Sequence, residues 1–120
     1  MEKFRIMWNR YDEKFKCIIG YLTYDQSWQF YYDDEGYGIA SRIGFVPFPE
    51  FSNPYQIYQS ETLFKTFSSR IRHSENLTET NKIEMLDLTN GILATDNISI
   101  VKEPTKERQK TYGTNWCQYL

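Results

Sequence analysis

Few residue types in this chain could do chemistry, and their spacing limits what that chemistry would be. His73 is the one histidine, and Cys17 and Cys117 are both far from it in sequence. Neither cysteine has the short ligand spacing that builds a zinc site. A nucleophilic Cys–His pair would also need a third group to orient the ring, and nothing in the sequence brings such a set together. His73 reads as a solvated residue after a helix. Asp33-Asp34-Glu35 could offer oxygen ligands to a hard cation, but it lacks the alternating spacing of an EF-hand loop and reads as a solvated turn. Gly36-Tyr37-Gly38 is not followed by Gly-Lys-Ser/Thr, so it is no phosphate loop, and no kinase catalytic signature occurs. Arg70 and Arg72 make a basic spot that the dipole of a helix end explains. The expectation is a protein that is not an enzyme, with no catalytic residue, no metal and no cofactor.

What remains for function is recognition, and the aromatic content suits it. Tyr, Phe and Trp make up 18% of the 120 residues, a density that either fills a β-rich core or studs a contact surface. The net charge is −2, which disfavours nucleic acid as a partner. A chain of this length builds one hydrophobic core. Its longest apolar runs fall far short of the roughly 18 residues of a membrane span. The first ten residues lack the apolar stretch of a secretory signal, so the protein is expected in the cytoplasm, where Cys17 and Cys117 would be free thiols. The glycosylation patterns at Asn76 and Asn97 carry no weight without export.

Any contact residue must be positioned by the elements around it. Phe4, Ile6 and Trp8 alternate with polar positions, the period of a half-buried strand. Phe15 to Tyr24 is rich in β-branched and aromatic residues, and Trp28, Phe30 and Tyr32 share one face of a third strand. With turns between them these runs form an antiparallel meander. Asp33 to Gly38 reads as an acidic, glycine-bearing break. Ser60 reads as the N-cap of a helix carrying Leu63, Phe64, Phe67 and Ile71. A second helix is expected within Thr78 to Leu88, ended by Gly91. Ile92 to Ala94 and Ile98 to Val101 are expected to close a hairpin, and Pro104 to end the ordered pattern. The fold class is α+β: a small antiparallel, partly barrel-like sheet with two short helices packed on it. Residues 1–104 form the domain and 105–120 a C-terminal tail.

Two aromatic sets are then candidate anchors for a partner. Phe45, Phe48 and Phe51 lie in a segment where Pro47 and Pro49 forbid a helix. These rings either cap the core or form an exposed patch. Trp116, with Tyr112 and Tyr119, lies in the tail, which either folds back in cis or docks in trans.

The order of these features resembles the N-terminal subdomain of HipA-type kinases. The runs that carry it are Ile19-Gly20-Tyr21-Leu22-Thr23-Tyr24, Trp28-Gln29-Phe30-Tyr31-Tyr32-Asp33, Gly44-Phe45-Val46-Pro47-Phe48-Pro49, and the stretch from Tyr58 to Ile71. The resemblance spans about residues 17 to 101, and its weight lies in the joint order of common patterns. It implies a stand-alone form of that subdomain, like the HipS-like proteins of three-gene toxin–antitoxin systems. The phosphate loop and catalytic aspartates of such kinases belong to a larger region that this chain does not carry. The implied function is to bind and control, by inhibition, a HipT-like serine/threonine kinase, with a HipB-like DNA-binding protein reached through the kinase. The resemblance also puts Leu63, Phe64 and Phe67 in the core. A different class of function is a single-stranded nucleic-acid binder that stacks bases on Trp28, Phe30 and Tyr32.

Overall fold

A computed structural model describes residues 1–9, 15–93, 96–103 and 117–119. The period-two runs form the strands expected of them: β1 is Glu2–Asn9, β2 is Phe15–Tyr24 and β3 is Trp28–Tyr32. Helix α1, Asp34–Arg42, follows β3 directly, and β4 is Tyr58–Ser60. Then come α2, Lys65–Ser68, α3, Glu79–Thr89, and β5, Ile98–Lys102. The last strand, β6, is Cys117–Tyr119. Pairing is antiparallel throughout, in the order β4-β3-β2-β1-β5, with β6 beside β2. The architecture is α+β as expected. The two ends of the strand order, β4 and β5, do not pair among the described residues, so the sheet is open rather than closed into a barrel.

One face of the sheet holds the core. Phe4, Ile6, Leu22, Trp28, Phe30 and Ile100 are completely buried, together with Phe51, Phe67 and Leu86 from the segments packed against them. Strand alternation makes this possible, since residues two apart share a face. The pairing of β1 with β2 shifts register between Ile6 and Met7. A bulge there inserts Ile19, whose carbonyl accepts a hydrogen bond from the Asp33 N–H at 2.8 Å and so fixes where β3 gives way to α1.

Four expectations from sequence need correction. Asp33 to Gly38 is not a solvated break: Asp33 caps α1, its side chain accepting from the Gly36 N–H at 2.8 Å. Gly36 is there because a Cβ would fall 1.7 Å from the Ile18 carbonyl oxygen, so the helix packs on β2 only through a residue without a side chain. Ser60 ends β4 rather than capping a helix, and the helix expected after it shrinks to the four residues of α2. Leu63 and Phe64 are buried ahead of that helix. Ile92 and Leu93 form no strand, and β5 pairs with β1 instead of closing a hairpin; Ala94 lies outside the described residues. Cys17 is disulfide-bonded and not a free thiol.

The helix expected within Thr78 to Leu88 is present as α3. Thr78 caps it by accepting from the Asn81 N–H at 3.1 Å, and Asn90 ends it in the left-handed region. Gly91 follows with φ +56° and packs on Ile100, where a Cβ would lie 2.6 Å from the Ile100 side chain. The end of α3 is tied to β5 by the Ile100 N–H donating to the Asn90 carbonyl at 2.7 Å.

Candidate functional site

The residues expected to meet a partner are mostly inside. Phe51 is completely buried, Phe45 is buried and Phe48 is half-buried. Their rings join a single aromatic cluster: Phe51 stacks on Phe30 at 4.3 Å between centroids, and Phe45 meets Phe48 edge-on at 5.7 Å. Of the two arrangements expected of these rings, Phe45 and Phe51 take that of a core cap, with Phe48 half-buried between them. The physical reason is that Phe48 approaches in extended backbone and Pro49, which fits the first position of a helical turn, opens a single 3-10 turn, Pro49–Phe51, closed by the Phe51 N–H donating to the Phe48 carbonyl at 2.9 Å, so Phe51 swings into the core. Trp116 lies outside the described residues.

One hydroxyl organises this cluster. Tyr32 donates to the Phe51 carbonyl at 2.8 Å and accepts from the Phe48 N–H at 2.9 Å, so the end of β3 fixes both ends of the segment from Phe48 to Phe51. Burial pushes the Tyr32 hydroxyl above the ordinary tyrosine range. The neutral phenol is the form that both donates and accepts.

The same segment leads into the surface that does project. Ser52 to Ile57 turns back toward β4, and the turn is held by four hydrogen bonds, one of them from the Gln56 N–H to the Asn53 carbonyl at 3.3 Å. Tyr58 Oη accepts from the Asn53 N–H at 2.9 Å and donates to the Asn53 carbonyl at 3.3 Å, while Asn53 Oδ1 accepts from the Tyr55 N–H at 3.0 Å. Tyr58 itself packs on Phe51. The consequence is a fixed loop that holds Tyr55 87% exposed and Ile57 63% exposed.

Between this loop and the β3–α1 junction lies a shallow groove of about 440 Å³. Tyr31, Asp33 and Asp34 form one wall, and Pro54, Tyr55 and Ile57 the other. Asp33 is held by its capping bond and Asp34 opens α1. The groove thus sets an aromatic and an aliphatic tip against two carboxylates, a combination that suits a segment carrying an apolar side chain beside a cationic one. Tyr31 belongs to the opposite face of the sheet from the core. It pairs there with Tyr21 at 5.7 Å, and Lys3 lies 4.5 Å over the Tyr21 ring. Burial, with the negative charges of Asp33 and Glu103, pushes the Tyr21 hydroxyl up to about 12.

Sequence reasoning passed over Tyr55 and Ile57. A signal existed in Asn53-Pro54, a turn-initiating pair, followed by Tyr55 and Ile57 as apolar residues next to the turn. Arg70 was also underread: its side chain is 4% exposed and bridges to Asp96 at 2.6 Å while donating to the Gly91 carbonyl at 3.0 Å. It clamps α2 to the turn before β5 and serves structure. His73 is exposed in a left-handed turn, and no group of His, Cys, Asp and Glu among the described residues could hold a metal ion. Among the described residues no helix is long and apolar enough to cross a membrane.

Trp28, Phe30 and Tyr32 share the buried face of β3. They offer no ring face on which a base could stack. Comparison with family models, curated proteins and solved structures finds no match to this chain.

Proposed function

We propose that this domain acts by binding: it engages and restrains a HipT-like serine/threonine kinase in the cytoplasm, as the antitoxin-side component of a toxin–antitoxin system. The observation that carries the binding reading is the rigid presentation of Tyr55 and Ile57 beside Asp33 and Asp34. Exposed aromatic and aliphatic residues on a hydrogen-bonded loop lose little conformational freedom on docking. Aromatic residues of this kind also dominate binding energy when a partner covers them. The choice of a kinase as the partner rests on the sequence resemblance to HipA-type kinases, through the runs at residues 19–24, 28–33, 44–49 and 58–71. In this reading the domain supplies no reacting group and no cofactor. It holds the kinase by preferring an inactive arrangement of it, and a HipB-like protein joins through the kinase.

The test is co-expression of the full chain with a HipT-like kinase encoded beside it, followed by co-purification and a growth assay. A stable complex with restored growth supports the reading. A complex without restored growth makes the chain an accessory subunit, and absence of a complex rejects the kinase as partner. Single-stranded nucleic acid is the second class, and binding to an oligonucleotide that weakens steeply with salt would favour it. The burial of Trp28, Phe30 and Tyr32 weighs against that outcome.

A further inference from the structure

We propose that the disulfide at Cys17 is a redox latch that keeps the C-terminal strand β6 seated on the edge of β2. β3 pairs with β2 only from Gly20 to Tyr24, which leaves the first residues of β2 without a neighbour on that side. β6 fills the vacancy, with Phe15 opposite Tyr119, Lys16 opposite Gln118 and Cys17 opposite Cys117. Three register positions make a weak strand pairing, because so short a ladder has few hydrogen bonds to set against the entropy of ordering the chain. The strand is also remote from the rest of the sheet in sequence, since β5 ends at Lys102 and β6 begins at Cys117. Cys17 is disulfide-bonded, and Cys117 is the chain's other cysteine and the register partner of Cys17. The covalent bond therefore reinforces a ladder of only three register positions.

The surroundings of Cys17 make the latch selective. Cys17 is completely buried, and its sulfur lies 3.2 Å from the Gly36 carbonyl oxygen in the first turn of α1. A reductant cannot reach the Cys17 sulfur through the core. Reduction consumes one dithiol, which becomes a disulfide, while Cys17 and Cys117 take up the two electrons and two protons as thiols. Once reduced, β6 loses its covalent tie and leaves, and the backbone groups of Phe15 to Cys17 that faced it are left as an open strand edge of the kind that accepts an added strand. In a compartment that keeps thiols reduced, the open form is the resting one, and oxidation closes the edge.

The experiment is amide hydrogen exchange on the full chain, oxidised and then treated with dithiothreitol, with thiols counted in parallel. The latch predicts no titratable thiol before treatment and two after it. It also predicts that protection at residues 117–119, and at those amides of residues 15–17 that face β6 rather than β1, falls at least tenfold, while the amides of β1, β3 and β5 keep theirs. The Cys117→Ser chain, which leaves the buried position intact, should match the reduced protein without any reductant. Two titratable thiols in the untreated, air-oxidised chain would overturn the proposal. So would unchanged protection on reduction, and so would loss of protection across the whole sheet, which would make the disulfide a staple of the entire fold.

Discussion

Glu79 shows how much one surface-facing side chain can hold together in this protein. Its carboxylate accepts from Trp28 Nε1 at 2.8 Å, from the Leu63 N–H at 3.0 Å and from Lys82 Nζ at 2.9 Å, joining β3, the approach to α2 and α3. Burial works to raise its pKa, but the hydrogen bonds from Lys82, Trp28 and Leu63 outweigh it and hold the carboxyl below its ordinary value. A folded-state pKa below the unfolded one stabilises the protein above the ordinary glutamate value of about 4.3, and that stability is lost as the pH falls through the folded value. Glu79→Gln keeps the shape but removes the charge, and it should destabilise by about 1–2 kcal/mol at neutral pH. Denaturant unfolding of both chains checks this, and the gap between them should shrink as the pH is lowered toward about 3. Phe51 works through packing instead. Phe51→Ala opens a cavity beneath Phe30 and Phe67 and should cost about 3–5 kcal/mol, read as a lower unfolding midpoint. Both effects were illegible in the sequence, because a glutamate in the first turn of a helix and a phenylalanine between prolines do not announce their distant partners.

At the scale of elements, α1 depends on a single missing side chain. Gly36→Ala would place a methyl group against the Ile18 carbonyl of β2, so α1 must tilt away from the sheet. The expected loss exceeds the few tenths to 1 kcal/mol that alanine would gain in an open helix, and it shows as a lower melting temperature. Gly38 has open space around it, so Gly38→Ala should leave stability equal or higher and serves as the control. The same glycines explain why α1 was missed. Two glycines in three residues read as a break, and only the close approach to Ile18 turns one of them into a packing requirement. The strands β1, β2 and β3 were legible because alternation reports burial on one face directly. The helix expected from Ser60 was overread because Leu63, Phe64, Phe67 and Ile71 are buried through an irregular turn as well as they would be by a helical face. The partner of β5 depended on long-range pairing, which local pattern does not encode.

At the scale of the whole molecule, the chain divides its aromatic residues between a core and an outer surface. Phe30, Phe45, Phe48, Phe51 and Phe67 fill the inside, whereas Tyr21 and Tyr31 line the other face of the sheet and Tyr55 stands in solvent. The composition reported the density of rings but not this division, so the site expected at Phe45, Phe48 and Phe51 lay one turn of chain away from the residues that project. The division has an alkaline signature. Tyr21 is pushed up to about 12 and Tyr32 is raised as well, burial being the main cause for both. Raised folded-state values favour the protonated fold, so the stability they provide is complete below the ordinary tyrosine value of about 10 and is lost as the pH rises through the folded values. In an alkaline titration followed by tyrosinate absorbance, exposed tyrosines should ionise first. The last to ionise should do so together with loss of far-ultraviolet circular dichroism.

The central claim, that the loop bearing Tyr55 and Ile57 is the binding surface for a kinase, is tested most directly by measuring the affinity of the full chain for the HipT-like kinase by calorimetry. The measurement compares Tyr55→Ala and Ile57→Ala with Leu88→Ala, an equally exposed apolar residue on α3. The account predicts that each loop variant weakens binding by about 1–4 kcal/mol with unchanged melting temperature, and that Leu88→Ala binds as the parent does. Full affinity in both loop variants would contradict it.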